Sequence, residues 1–281
     1  MKLGYSTITW GGVVGHPSGV TSIQDLFYMA HGDTPAALKD IAEAGYQGTE
    51  LFDGNLAEFE NEPEVLLTAL RESGLELVSV YTGANFIYDE ILDDELFKIE
   101  RAALLAKKFG ASRLVVGGGA KRPDGPKLDD FKKVGRGLDM TADIARTHGL
   151  ESSYHPHLGT ISETLSGFHQ IMDSCSIGFC PDTAHLVASG IDPVDAIERY
   201  GDRLQHVHLK DLSQETGQFT PLGEGDINFP AVLEAIRKTS YASWLMVELD
   251  SCEGDPKSAA LTSRKYLDVL LDGKIKTHSA N

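Results

Sequence analysis

The stretch Leu150-Glu151-Ser152-Ser153-Tyr154-His155-Pro156-His157 reads as a short strand, and residues 161–174 after it carry a helical pattern. Gly149 stands just before it, where a preceding helix would close in a left-handed cap. The same strand-then-helix unit repeats in both directions along the chain. Strand-like runs fall at residues 3–7, 46–52, 75–82, 112–118, 150–157, 177–182, 204–210 and 244–249. Helical patterns fall at 34–44, 63–73, 93–109, 129–148, 161–174, 192–199, 229–238 and 257–271. Gly45, Gly74 and Gly110 punctuate helix ends as Gly149 does. Eight units of about 35 residues match an α/β fold of the (β/α)8 TIM barrel type better than an open doubly wound sheet. No linker interrupts the units, so residues 1–281 are expected to form a single domain.

Composition narrows the functional classes. The hydrophobic share of 41% and charged share of 24% are those of an ordinary globular chain. No apolar run approaches the length of a membrane span, and Met1 to Thr7 reads as a strand rather than a secretory leader. Three cysteines, Cys175, Cys180 and Cys252, match no C-x-x-C spacing and are expected to be reduced packing residues of a cytoplasmic protein. With 42 acidic against 25 basic residues, the net charge of −17 disfavours nucleic acid as a partner. Residues 10–33 form the longest stretch without periodicity and are expected to be a lid or an oligomer contact. The polar end at 273–281 is expected to fray.

In a barrel of this type chemistry gathers at the C-terminal ends of the strands. Here those ends carry Glu50, His155 and His157, Asp182 and His185, His206, His208 and Lys210, and Glu248. A buried ionisable group must be paired or ligated, so four consecutive strands ending in such groups point to a metal site. A carboxylate from strand six, an imidazole from strand seven and a carboxylate from strand eight make a mixed nitrogen and oxygen set. Such a set suits one divalent ion, Mn²⁺, Co²⁺, Zn²⁺, Fe²⁺ or Mg²⁺, without choosing among them. His208 lies nearer the rim than His206 and is the better ligand. Asp182 is favoured over His185, which would enter the substrate cavity. Gly117-Gly118-Gly119 is expected to allow close approach of backbone to substrate.

Four blocks carry a family resemblance: Pro181-Asp182-Thr183-Ala184-His185, His206-Val207-His208-Leu209-Lys210-Asp211, Pro221-Leu222-Gly223-Glu224-Gly225-Asp226-Ile227-Asn228-Phe229, and Val247-Glu248. In strand order along the whole chain they resemble the xylose isomerase-like barrel superfamily of sugar isomerases and epimerases, inosose dehydratases and endonuclease IV enzymes. The resemblance implies metal ligands at Asp182, His208 and Glu248. The endonuclease branch carries an Asp-x-His before the Leu-Gly-Glu-Gly block, whereas this chain has Gln218-Phe219-Thr220-Pro221, none of which holds zinc.

The familiar epimerases of the superfamily end strand five in a glutamate that binds metal and moves a proton. Aligned on that pattern, His155 takes the glutamate's place, so the resemblance implies His155 as the fourth ligand, and a ligating imidazole nitrogen has no lone pair left for acid/base work. The run from Tyr154 to Thr160 resembles the inosose dehydratase branch, which implies a lyase acting on a keto-cyclitol or keto-sugar. Glu248, His157 and His185 are the candidate acid and base, and Lys210 would steady an enolate or pair structurally with Asp211 or Glu224. Glu50 and Glu224 are expected to touch substrate hydroxyls, to bond a neighbouring strand end, or to order the mouth. A sugar isomerase or epimerase, with Glu50 as second carboxylate, and a non-catalytic sugar-binding barrel are the alternatives. A homo-oligomer is possible on this reading.

Overall fold

The computed structural model describes residues 1–10, 28–252 and 254–271. Most of the 10–33 stretch and all of 273–281 therefore lie outside the described residues. Strands β1 (Lys2–Ser6), β2 (Gly48–Phe52), β3 (Glu76–Gly83), β4 (Arg113–Gly117), β5 (Glu151–Tyr154), β6 (Gly178–Phe179) and β7 (His208–Leu209) follow in order. Two short strands, β8 (Asp211–Leu212) and β9 (Phe219–Thr220), make an antiparallel hairpin, and β10 (Trp244–Val247) is the eighth barrel strand. The eight barrel strands are parallel, in the order β6-β5-β4-β3-β2-β1-β10-β7. Parallel bridges from Phe179 to Leu204 and from Asp182 to His208 join the two ends of that order. The barrel expected from periodicity is thus present.

Ten α-helices occur among the described residues: α1 (Thr34–Glu43), α2 (Asp53–Glu58), α3 (Pro63–Ser73), α4 (Leu92–Lys108), α5 (Leu128–Thr147), α6 (Leu165–Met172), α7 (Thr183–Ala188), α8 (Pro193–Tyr200), α9 (Phe229–Arg237) and α10 (Pro256–Leu271). Helix patterning located eight of them. Helix α6 begins later than its pattern suggested, because Thr164 caps it through Gly167 N at 3.1 Å while Ile161 N bonds Gly119 O at 3.3 Å. Residues 160–163 are spent tying two rim loops together. The apolar faces of the helices and strands form a main core running from Leu3 to Leu270, with two smaller clusters, one of Ile8, Ala30, Phe52, Tyr81, Val115 and Cys180 and one of Val78, Trp244 and Met246.

Gly117, which ends β4, and Gly83, which ends β3, make room for aromatic rings. A Cβ on Gly117 would lie 1.7 Å from Tyr81 Oη, and one on Gly83 would lie 2.1 Å from the Tyr28 ring. The missing side chains are filled by aromatic rings from the barrel mouth. Gly117→Ala is therefore expected to drive Tyr81 out of position and to lower stability by about 1–3 kcal/mol, read as a drop in the denaturant midpoint; an unchanged midpoint would remove this role.

Candidate metal centre and cleft

Four side chains from four barrel positions converge at the C-terminal rim. His155 follows β5 directly and Asp182 lies three residues past β6. His208 opens β7, and Glu248 follows the last residue of β10. One donor atom from each lies within 4.8 Å of the other three, and all four residues are buried. Asp182 also caps α7 by accepting from His185 N at 2.9 Å, so one carboxylate oxygen is fixed to backbone and the other points inward.

The donors crowd together without bonding one another well. His208 Nδ1 lies 2.9 Å from Glu248 Oε2, and His155 Nε2 lies 3.5 Å from Asp182 Oδ2. Among the described residues, His155 Nε2, Asp182 Oδ2 and His208 Nδ1 nevertheless make no hydrogen bond. Buried polar atoms are rarely left so. A cluster of lone pairs aimed at one point is what a cation between them requires, and the mixed nitrogen and oxygen donors suit a divalent ion.

Glu50 lies behind this group. Its carboxylate accepts from Ser79 Oγ at 2.6 Å, sits 3.1 Å from His208 Nε2 and 3.4 Å from His206 Nε2. A proton on His208 Nε2 directed at Glu50 leaves Nδ1 as the lone-pair atom facing Glu248, Asp182 and His155. Burial pushes the Glu50 carboxyl up, but the flanking His208 and His206 rings outweigh it and hold it well below the carboxylate range. His206, one period-two step below His208 on the same face, is fully buried against Glu50 and Ser79.

Lys210 occupies the other side of the cluster. Its ammonium is fully buried, 2.5 Å from Glu248 Oε1, 3.3 Å from Asp182 Oδ2, 3.1 Å from His185 Nε2, and bonded to Asp250. Burial opposes its charge, yet Asp182, Asp250 and Glu248 together hold its pKa well above the ordinary value. Lys210 thus pairs with neither Asp211 nor Glu224. Asp211 points to the opposite face, where it accepts from Leu212 N, Gly223 N, Gly225 N and Ile227 N at 2.9–3.1 Å. That carboxylate orders the Leu222-Gly223-Glu224-Gly225 loop, a task the sequence had suggested for Glu224, whose side chain is exposed.

His157 and His185 stand next to this ammonium, their ring centroids 3.7 Å apart. Burial drives the His157 pKa down to about 4, helped by His155 and Lys210, and drives His185 well below its usual value. Both imidazoles are neutral near pH 7. His157 Nδ1 donates to Leu158 O at 2.6 Å, which leaves Nε2 as an acceptor. His185 Nε2 accepts from Lys210, which places its proton on Nδ1, an atom without a partner among the described residues.

A narrow cleft opens beside these groups. One wall is apolar: Ile8, Tyr28, Phe52 and Tyr81, with Phe52 and Tyr81 edge to face at 5.3 Å. The other wall is His155, His157, Glu248 and Asp250. Asp53 Oδ1 accepts from Tyr28 N at 2.9 Å, and Asn55 exchanges two hydrogen bonds with Ala30, so α2 holds residues 28–30 against the cleft. Sequence reading missed Asp250, Asp53 and Asn55. Asp250 was detectable as the period-two continuation of Glu248, had the strand been followed one step further.

Comparison with known proteins agrees with this architecture. The family described as xylose isomerase-like TIM barrel matches residues 38–270. An inosose dehydratase of Mesomycoplasma hyopneumoniae (strain J) is 31% identical over 268 residues, 83% of this chain and 86% of that protein. An inosose dehydratase of Lacticaseibacillus casei is 29% identical over 270 residues, covering 84% and 89% respectively. Among solved structures, the IolI protein with a bound zinc atom superposes with a TM-score of 0.74 at 16% identity, covering 99% of this chain and 100% of its own. A probable 3-DHS dehydratase, AsbF, of Bacillus anthracis gives 0.70 at 20% identity, covering 95% and 99%. No helix among the described residues is long and apolar enough to cross a membrane. The chain belongs to the xylose isomerase-like TIM barrel family.

Proposed function

We propose that the protein is a divalent-metal-dependent dehydratase of a small polyhydroxy ketone, with a keto-cyclitol of the inosose type as substrate. The observation that carries the reading is the pair of neutral imidazoles beside the His155, Asp182, His208 and Glu248 group: His157 lines the cleft and His185 packs against His157, ring centroids 3.7 Å apart. Relatives named inosose dehydratase over most of the chain support it. A two-carboxylate epimerisation needs bases on opposite faces of the carbon. Glu50 is unsuited to be the second, because it is buried beneath His208 and engaged by Ser79. Asp250 leaves the same strand as Glu248, two residues on, and shares its side of the cleft.

Bound to the four-residue group, a divalent ion would polarise the ketone oxygen and acidify the neighbouring C–H. His157 Nε2 takes that proton. His185 Nδ1 gives its proton to the β-hydroxyl, which departs as water, so the substrate loses one proton and one hydroxide in total. Lys210 orients His185 through its Nε2 and holds Glu248 and Asp250 in place. The apolar wall excludes water from the carbon face of the ring. Glu50 fixes the His208 tautomer; Glu50→Gln is expected to weaken metal affinity by roughly 10–100-fold, read by competition with a fluorescent chelator, and unchanged affinity would remove that role.

The test is ultraviolet absorbance. With 2-keto-myo-inositol and Mn²⁺ or Co²⁺, dehydration creates a conjugated enone or diketone absorption, whereas isomerisation and simple binding do not. Turnover to an isomer without new absorbance would overturn the lyase assignment.

A further inference from the structure

Asp250 is the one acidic side chain of the cleft that neither the metal group nor the proton-transfer pair uses. It continues the inward period of β10 after Met246 and Glu248 and is only 2% exposed. Its Oδ1 receives the Lys210 ammonium, while Oδ2 is buried without a hydrogen-bond partner among the described residues. An acceptor so placed needs a donor to arrive with the ligand. One donor atom each from Asp250, His157 and His185 lies within 4.8 Å of the others. A second divalent ion is a poor occupant there, because the Lys210 ammonium already sits between Asp250 Oδ1 and His185 Nε2.

We propose that Asp250 is a specificity-determining residue: its free carboxylate oxygen accepts a hydrogen bond from one ring hydroxyl of the substrate and selects polyols that carry a hydroxyl at that position. The inference rests on the polyol reading of the preceding section. Across the cleft, Ile8, Phe52 and Tyr81 offer the apolar surface against which the C–H face of such a ring packs. The ring is thereby gripped on its face by carbon and on its edge by Asp250. A site built to bond a hydroxyl rejects the analogue lacking it, since the buried acceptor is then left orphaned.

The test is a ligand-observed NMR titration of the metal-loaded protein with myo-inositol, which has no carbonyl and cannot eliminate, and with its mono-deoxy derivatives. Wild type is expected to bind one deoxy derivative at least tenfold more weakly than myo-inositol. Asp250→Ala should bind that pair equally while keeping the wild-type ranking of the other derivatives. A merely structural role would weaken all of them alike. Asp250→Asn keeps the volume and one acceptor oxygen, so its preference is expected to fall between the two, and it serves if the alanine variant does not fold. Full preference retained in both variants, no preference in wild type, or no binding of any inositol overturns the proposal. Preference without turnover of 2-keto-myo-inositol would refute the dehydratase reading alone, and turnover without preference would refute the Asp250 role alone.

Discussion

Lys210→Met is expected to lower the stability of the metal-free protein by about 3–5 kcal/mol, the cost of removing one partner from a buried ion cluster. The reason lies in the charge arithmetic of the rim. Asp182, Glu248 and Asp250 converge on one ammonium that is fully buried. Without it, three carboxylates share a poorly solvated space and repel one another, and methionine fills the volume without the charge. The folded-state pKa of Lys210 is raised. Its contribution is therefore complete below the unfolded value near 10.5 and is lost only as pH rises through the higher folded value. The comparison is best made near neutral pH, by urea unfolding in chelator and then in Mn²⁺. Metal at about a hundred times its dissociation constant adds about 2.7 kcal/mol to any protein that binds it only when folded. In Lys210→Met the gain should be larger than in wild type, because the ion no longer competes with an ammonium for Asp182 and Glu248. Equal stability of variant and wild type in chelator would show that Lys210 is not the counter-ion of the cluster.

How far the sequence reveals this arrangement depends on what each residue's placement obeys. Eight strand-helix periods are a local signal repeated, so the barrel is legible, and the rule that chemistry sits at C-terminal strand ends converts it into a list that includes His155, Asp182, His208 and Glu248. Depth along a strand is legible too: His206 and His208 share a face, and the one nearer the rim joins the cluster. Partnership across the barrel is not legible. Glu50 reads as a rim carboxylate able to meet substrate, yet the closure of β7 against β10 and the path of β2 bring it under His208 instead. Lys210 and Asp211 are adjacent in sequence, but successive residues of an extended chain face opposite ways. One therefore enters the ionic cluster and the other gathers four backbone amides outside it. Helix α7 was hidden for a different reason. Its six residues are too few to show a period, and only the capping aspartate, Asp182, marks its start.

His157→Ala is expected to reduce kcat by about 10²–10⁴-fold while metal content and stability stay near wild type. The separation follows from geometry. His157 lies outside the four-donor group, and among the described residues the one hydrogen bond of its side chain is to the adjacent Leu158 carbonyl, so truncating it removes no partner from the ligands. What is lost is the Nε2 lone pair over the cleft. The pH profile carries the sharper test. A proton acceptor works only when neutral, and burial brings the His157 pKa down to about 4. The acid limb of kcat/KM for wild type should accordingly fall near or below pH 4, well under the ordinary imidazole value of about 6.5. A neighbouring cation lowers it further, since positive charge disfavours the imidazolium. His157→Gln keeps much of the side-chain volume and a hydrogen-bonding amide but offers no comparable base, so it should show the same loss as alanine. Hydrogen exchange separates the two proton transfers. Wild type in D₂O is expected to exchange the C–H next to the ketone, His157→Ala to lose that exchange, and His185→Ala to retain it while failing to eliminate water. Exchange that survives in His157→Ala would assign the base to another residue, Glu248 being next in reach, and would leave His157 a substrate-positioning group. Either way the two imidazoles are distinguished by which of their nitrogens the protein has already engaged. Leu158 O takes Nδ1 of one and Lys210 takes Nε2 of the other, and the opposite protonation of the two free nitrogens lets neighbouring neutral rings do opposite work.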